Sequence, residues 1–160
     1  MSTSQSGARA GNAGVIVRPP VLYGGAFIVT LALGWFWPMP IVGHGALRWC
    51  GLALLILGAA IGVTARRKML AAGTNVDPMR PTTAIVTTGP FRFSRNPLYV
   101  ALTLLYLGLT LAFDTWWGIV LLVPVLMIMH LGVVLREERY LEEMFGDTYR
   151  QYRSTVRRYL

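Results

Sequence analysis

The chain has 160 residues, enough for one domain, of which 54% are hydrophobic and 14% charged. The hydrophobic residues fall in blocks too long for the interior of a soluble domain of this size, so lipid is their natural solvent. A net charge of +8, from fifteen Lys and Arg against seven Asp and Glu, suits an anionic membrane surface. There is no polar basic face, separate from the apolar sequence, to receive a duplex, so nucleic acid is not an expected partner. The single cysteine, Cys50, excludes an internal disulfide and a cysteine-rich metal site, and reads as a buried structural thiol.

Residues 1–19 read as a disordered N-terminal tail, small and polar over 1–14. Arg9 and Arg18 ahead of an apolar run resemble a secretory signal. No small-x-small cleavage site follows, however, and the run closes on Trp35, Phe36, Trp37 and Pro38, an aromatic belt. A retained helix over 20–37 is therefore expected. A second apolar helix runs over 46–65 and stops at Arg66-Arg67-Lys68, a third from 97 to near 113, and a fourth from 116 to about 135. Pro124 introduces a kink in the fourth. Each span holds roughly 17 to 21 residues, which at 1.5 Å per residue nearly matches a ~30 Å hydrocarbon core.

The connections around 39–45 and 114–115 are very short and make two antiparallel hairpins. The expected fold is all-α: a polytopic membrane bundle of about four transmembrane helices with a C-terminal interfacial amphipathic helix. Its units are a hairpin over 20–65 and a core over 66–160. With four spans, fourteen of the fifteen Lys and Arg share one side and only Arg48 lies opposite. By the positive-inside rule that side, with both termini, is cytoplasmic, in a plasma or inner membrane.

Chemistry is left to two regions. In the connection over 66–96, Gly89-Pro90 makes a turn and Asn96-Pro97 opens a helix, with asparagine at the N-cap and proline at the first position. Capping does not explain why Phe91, Arg92, Phe93, Arg95 and Tyr99 crowd the same interface. A helix N-terminus there offers free N–H groups to a carboxylate or phosphate. The second region is the end of the fourth helix, where helical spacing aligns His130, Val134, Glu137 and Leu141. Arg139 and Glu143 sit at i,i+4 spacing for a surface pair. His130 is the one ionisable residue well inside a span, and its default role is hydrogen-bonded packing toward the bundle interior. No further ligand stands at metal spacing from it, and His44 in a short outer loop gives no signal. Beyond Gly146, Asp147 caps a last helix. Tyr149, Tyr152, Val156 and Tyr159 share one face beside Arg150, Arg153 and Arg157, as in a helix lying on an anionic leaflet or a lid over a lipid-facing site.

With TTGPFRFSRNPLY, an apolar hairpin and REERYLEEMFGDTYRQYRSTV in that order, the chain resembles the isoprenylcysteine carboxyl methyltransferase and phospholipid methyltransferase superfamily from about 73 to 158. The resemblance implies methyl transfer from S-adenosylmethionine, at the cytoplasmic membrane face, to a lipophilic or lipidated acceptor drawn from the membrane lipid. By position it nominates Phe91, Arg95, Asn96, Pro97, Leu98 and Tyr99 for the cofactor, with Gly89 shaping the turn. Glu137 stands at the acidic position and Glu138 completes the pair typical of the phospholipid branch. Two departures bear on the substrate. Asn96 stands where carboxyl methyltransferases carry histidine, and Val133 stands near a substrate-linked arginine of eukaryotic members, for which Arg136 is the substitute. Arg136 and Glu137 are thus the catalytic candidates. The acceptor nucleophile is a carboxylate, amine or thiolate; a carboxylate needs no base, and an amine would use the Glu137-Glu138 pair. The alternatives are a membrane reductase with a nicotinamide cofactor and a non-enzymatic helical subunit that binds lipid or a partner.

Overall fold

The computed structural model describes residues 13–41 and 45–160. Residues 1–12, including Arg9, and His44 lie outside the described residues. Every element described is helical: α1 Pro19–Phe36, α2 Ala46–Ala71, a 3₁₀ turn Gly89–Arg92, α3 Pro97–Ala112, α4 Trp116–Phe145 and α5 Asp147–Thr155. Helices α1, α2 and α4 are long and apolar enough to cross a bilayer. Helix α3 is also apolar but has 16 residues, about 24 Å of rise. Side chains such as Ile28, Ile56 and Val123 are more exposed than buried on the outer faces, which is what lipid as solvent allows. Cys50 is also exposed and is not a buried thiol, which an apolar surface facing lipid permits.

Glycine sets the tightest packing. A Cβ on Gly108 would stand 2.8 Å from the Gly51 carbonyl oxygen, and one on Gly58 would stand 3.0 Å from that of Ala101. Helices α2 and α3 thus meet backbone to backbone through small residues, the arrangement that replaces hydrophobic drive inside lipid. Helix α1 joins α3 through a polar ladder. Tyr23 Oη and Thr103 Oγ1 are 2.7 Å apart, and Thr30 Oγ1 and Tyr106 Oη 2.9 Å. Away from water each hydroxyl would be costly without such a partner.

The two ends of the bundle differ. At one end the short connections knit together: Trp116 N donates to Met39 O, Trp117 Nε1 to Trp37 O, and Ile41 N to Asp114 Oδ1. The other end carries the long connection, the end of α4 and the C-terminal segment. Helix α2 reaches this end without stopping at the basic triplet and continues to Ala71. Lys and Arg are good helix formers, so charge ends a lipid span without ending the helix.

One expectation changes here. Residues 13–18 are packed and not a loose tail: Val15 is buried in the core and Ile16 N donates to Gly132 O. Helix α4 holds Pro124 within it, on its outer face, and changes to a π-turn at His130–Val134. A π-turn frees backbone carbonyls and widens the helix, and the Ile16 side chain fills the space a Cβ on Gly132 would take.

Candidate functional site

The site forms where the start of α3, the end of α4 and the C-terminal segment meet. Gly89 adopts φ +64°, open to glycine at little cost, and starts the 3₁₀ turn that buries Phe91. Pro97 then fixes the first turn of α3. Asn96 is the residue before that helix, but its side chain does not cap it. Its Nδ2 donates to Arg158 O at 2.9 Å, and its backbone N–H goes to Ser94 Oγ at 3.1 Å. A carbonyl delivered from the chain's far end replaces the local cap.

The paired glutamates divide. Glu138 is buried and receives Arg95 Nη1 at 3.1 Å and both forks of Arg158 at 2.9 Å. Such a bidentate, desolvated pair is strong and geometrically defined. It pushes the Arg158 guanidinium further up from its ordinary value, with partial burial opposing. Glu137 instead accepts one hydrogen bond, 2.7 Å from Tyr99 Oη, which leaves most of its acceptor capacity unused by that bond. Arg95 also donates to Tyr149 Oη at 3.3 Å, and its backbone N–H is held by Arg157 O at 2.9 Å. Burial, with the Glu138 charge adding to it, holds the Tyr149 hydroxyl above the usual phenol range, and Arg95 pulls the other way.

The π-turn also changes the helical alignment of the pair with His130. A straight α-helix would align Glu137 with His130. One residue inserted between them moves that alignment to position 138, and it is Glu138 that is buried.

Of the nominated residues, Phe91, Arg95, Asn96, Pro97, Tyr99, Glu137 and Glu138 converge. Leu98 lies beside them, lining a second cavity of about 420 Å³ on the other side of Tyr99. Arg136 does not join them: it is exposed, and Nη1 donates to Gly14 O at 3.1 Å, pinning the N-terminal segment.

Sequence reasoning missed Ser94, Tyr152 and Arg158. Tyr152 Oη donates to Phe91 O at 2.7 Å, so the aromatic face of α5 packs on the 3₁₀ turn, and its arginines remain on the outside. The available signal was stoichiometric: residues 137–143 hold four of the chain's seven carboxylates, and the next cations along the chain are Arg150, Arg153, Arg157 and Arg158. Glu142 indeed takes Arg153 at 3.0 Å and Arg150 at 3.9 Å across to α5.

Beside the charged cluster an apolar groove of about 730 Å³ runs between α3 and α4. Leu104, Leu107, Leu126 and Met127 line its body, and Tyr99, His130 and Tyr159 are its main polar side chains. A charged cluster at a membrane surface, opening on a lipid-sized apolar groove, suits reaction of a polar reagent with an amphiphile.

Comparison with known proteins agrees with this arrangement. Residues 46–148 match the family model described as phospholipid methyltransferase. A protein of Haemophilus influenzae named only as uncharacterised is 36% identical over 66 residues, which span 39% of this chain and 100% of that protein. The matched region contains α2, α3, α4 and the whole acidic pair, and on that extent the chain belongs to the phospholipid methyltransferase family and is an integral membrane methyltransferase.

Proposed function

We propose that the protein transfers the methyl group of S-adenosylmethionine to a lipophilic acceptor at the cytoplasmic face of the membrane. Methyltransferases of this family generally use that cofactor. The observation that carries the reading is the division of the acidic pair: Glu138 is locked by two arginines, while Glu137 accepts a single hydrogen bond, from Tyr99, which lines the groove.

The residues fit the cofactor. Arg95 is more than nine-tenths buried, yet its Nε has no partner, a vacancy that a ligand carboxylate would fill. Glu137 is the carboxylate free to accept from an ammonium, and Phe91 and Tyr99 offer aromatic surface to a cation. When bound, the cofactor supplies an electrophilic methyl on a sulfonium and leaves as the neutral thioether. The protein's part is positional: Tyr99 and Glu137 fix the polar edge, Glu138 with Arg95 and Arg158 holds the walls together, and the groove keeps water from the reacting head. An acceptor would reach the site sideways from the bilayer, hydrocarbon first.

The test is calorimetric titration of the purified protein with S-adenosylhomocysteine. Saturable micromolar binding is expected, weakened at least tenfold in Glu137→Gln, about 1.4 kcal/mol, with the unfolding midpoint unchanged. Asn96→Ala should weaken binding while also loosening the C-terminal segment. Well-folded wild type that binds nothing would sink the cofactor assignment.

A further inference from the structure

The C-terminal segment does more than close the charged cluster. Backbone carbonyls of Arg157 and Arg158 are held by Arg95 and Asn96, and the Arg158 side chain by Glu138. Three anchors within two residues therefore deliver the next side chain, Tyr159, to the groove. There its hydroxyl lies 2.8 Å from His130 Nδ1, the first residue of the π-turn.

The other hydroxyls along the groove are already engaged. Tyr23 pairs with Thr103, Thr103 donates to Tyr99 O, and Tyr99 donates to Glu137. The Tyr159 hydroxyl and His130 Nδ1 share one hydrogen between them, so the pair keeps another to give: ring Nε2–H when the phenol donates, or the phenol O–H when Nδ1–H does. Either way the pair presents a hydrogen-bond donor in an otherwise apolar groove, where an unmatched donor is costly and a matched one is strong.

We propose that His130 and Tyr159 form the seat for the head group of the acceptor, and that they select an anionic oxygen, carboxylate or phosphate, attached to an apolar chain. This rests on the groove being the acceptor site of the reading above and adds which residues position the acceptor and what chemistry they read. His130 is thereby a ligand-facing residue and not a packing histidine, and Tyr159 is a substrate-positioning residue contributed by the chain's last turn of sequence.

The probes are palmitate, hexadecyl phosphate and hexadecylamine, titrated into protein in a non-ionic detergent with and without S-adenosylhomocysteine. At least one anionic probe should bind wild type, about fivefold or more tighter than the amine. Tyr159→Phe, which keeps the ring and the tail anchors, and His130→Ala should each cost the anionic probe about fivefold and leave the amine and S-adenosylhomocysteine within twofold. His130→Gln should restore part of the loss, since an amide can still donate. Whichever anionic probe binds tells carboxylate from phosphate. Equal or tighter binding of the amine, no binding of either anion, or anion affinity unchanged in both variants would overturn the proposal. Failure of S-adenosylhomocysteine alone would count against the cofactor reading and leave this seat standing.

Discussion

Residues 137 and 138 are chemically identical neighbours with different work. Glu138 is 6% exposed and bound by two guanidinium groups, so removing it strands Arg95 in a buried place. An unpaired buried charge costs about 3–5 kcal/mol. Glu138→Ala should therefore lower the unfolding midpoint sharply and reduce the yield of folded protein, before any question of ligand arises. Glu142 makes its pairs at the surface, where screening leaves about 0–1 kcal/mol. Glu142→Gln should unfold within a degree or two of wild type, measured in the same thermal scan. Equal midpoints for the two variants would mean that the buried triad is not what fastens the C-terminal segment. The pair of glutamates was legible in the sequence; their division was not, because helical spacing assumes 3.6 residues per turn and the π-turn adds one.

At the scale of elements, the α2–α3 contact depends on the absence of side chains. A Cβ on Gly108 would meet the Gly51 carbonyl oxygen at 2.8 Å and the Leu55 backbone nitrogen at 3.0 Å, neither able to move without shifting a helix. Gly108→Leu should destabilise the protein by about 1–3 kcal/mol or more through overpacking, read as loss of monodispersity and a lower midpoint. Gly25→Ala on α1 has nothing within 4 Å and should be silent. The spans themselves were legible from hydropathy, because the bilayer imposes a minimum length and an apolar composition on any helix that crosses it. Helix ends were less so. The basic triplet marks where lipid stops, not where α2 stops, and the side chain expected to cap α3 is drawn to Arg158 O.

At the scale of the whole molecule, the proposed function requires the site end to face the cytoplasm, as the excess of Lys and Arg on that side leads one to expect. In a Cys50→Ser background, Arg153→Cys should resist an impermeant maleimide in intact cells and react after permeabilisation, while Met39→Cys should react in both. The reverse pattern would put the cofactor site on the wrong side for a cytoplasmic methyl donor.

What the sequence determined by itself is what the solvent and the local chain dictate. These are the apolar spans, the turn at Gly89-Pro90, the helix start at Pro97 and the presence of an acidic pair at the end of the last apolar helix. Only the tertiary structure decided which carboxylate is buried, that Asn96 serves a distant carbonyl, that Arg136 faces the N-terminal segment, and that residues 157–160 build one wall of the site. Those outcomes rest on contacts between segments from 20 to 122 residues apart, and on a single extra residue in one turn. No local pattern encodes either, because a hydrogen bond to a distant carbonyl competes with the local one only once packing has brought the two together.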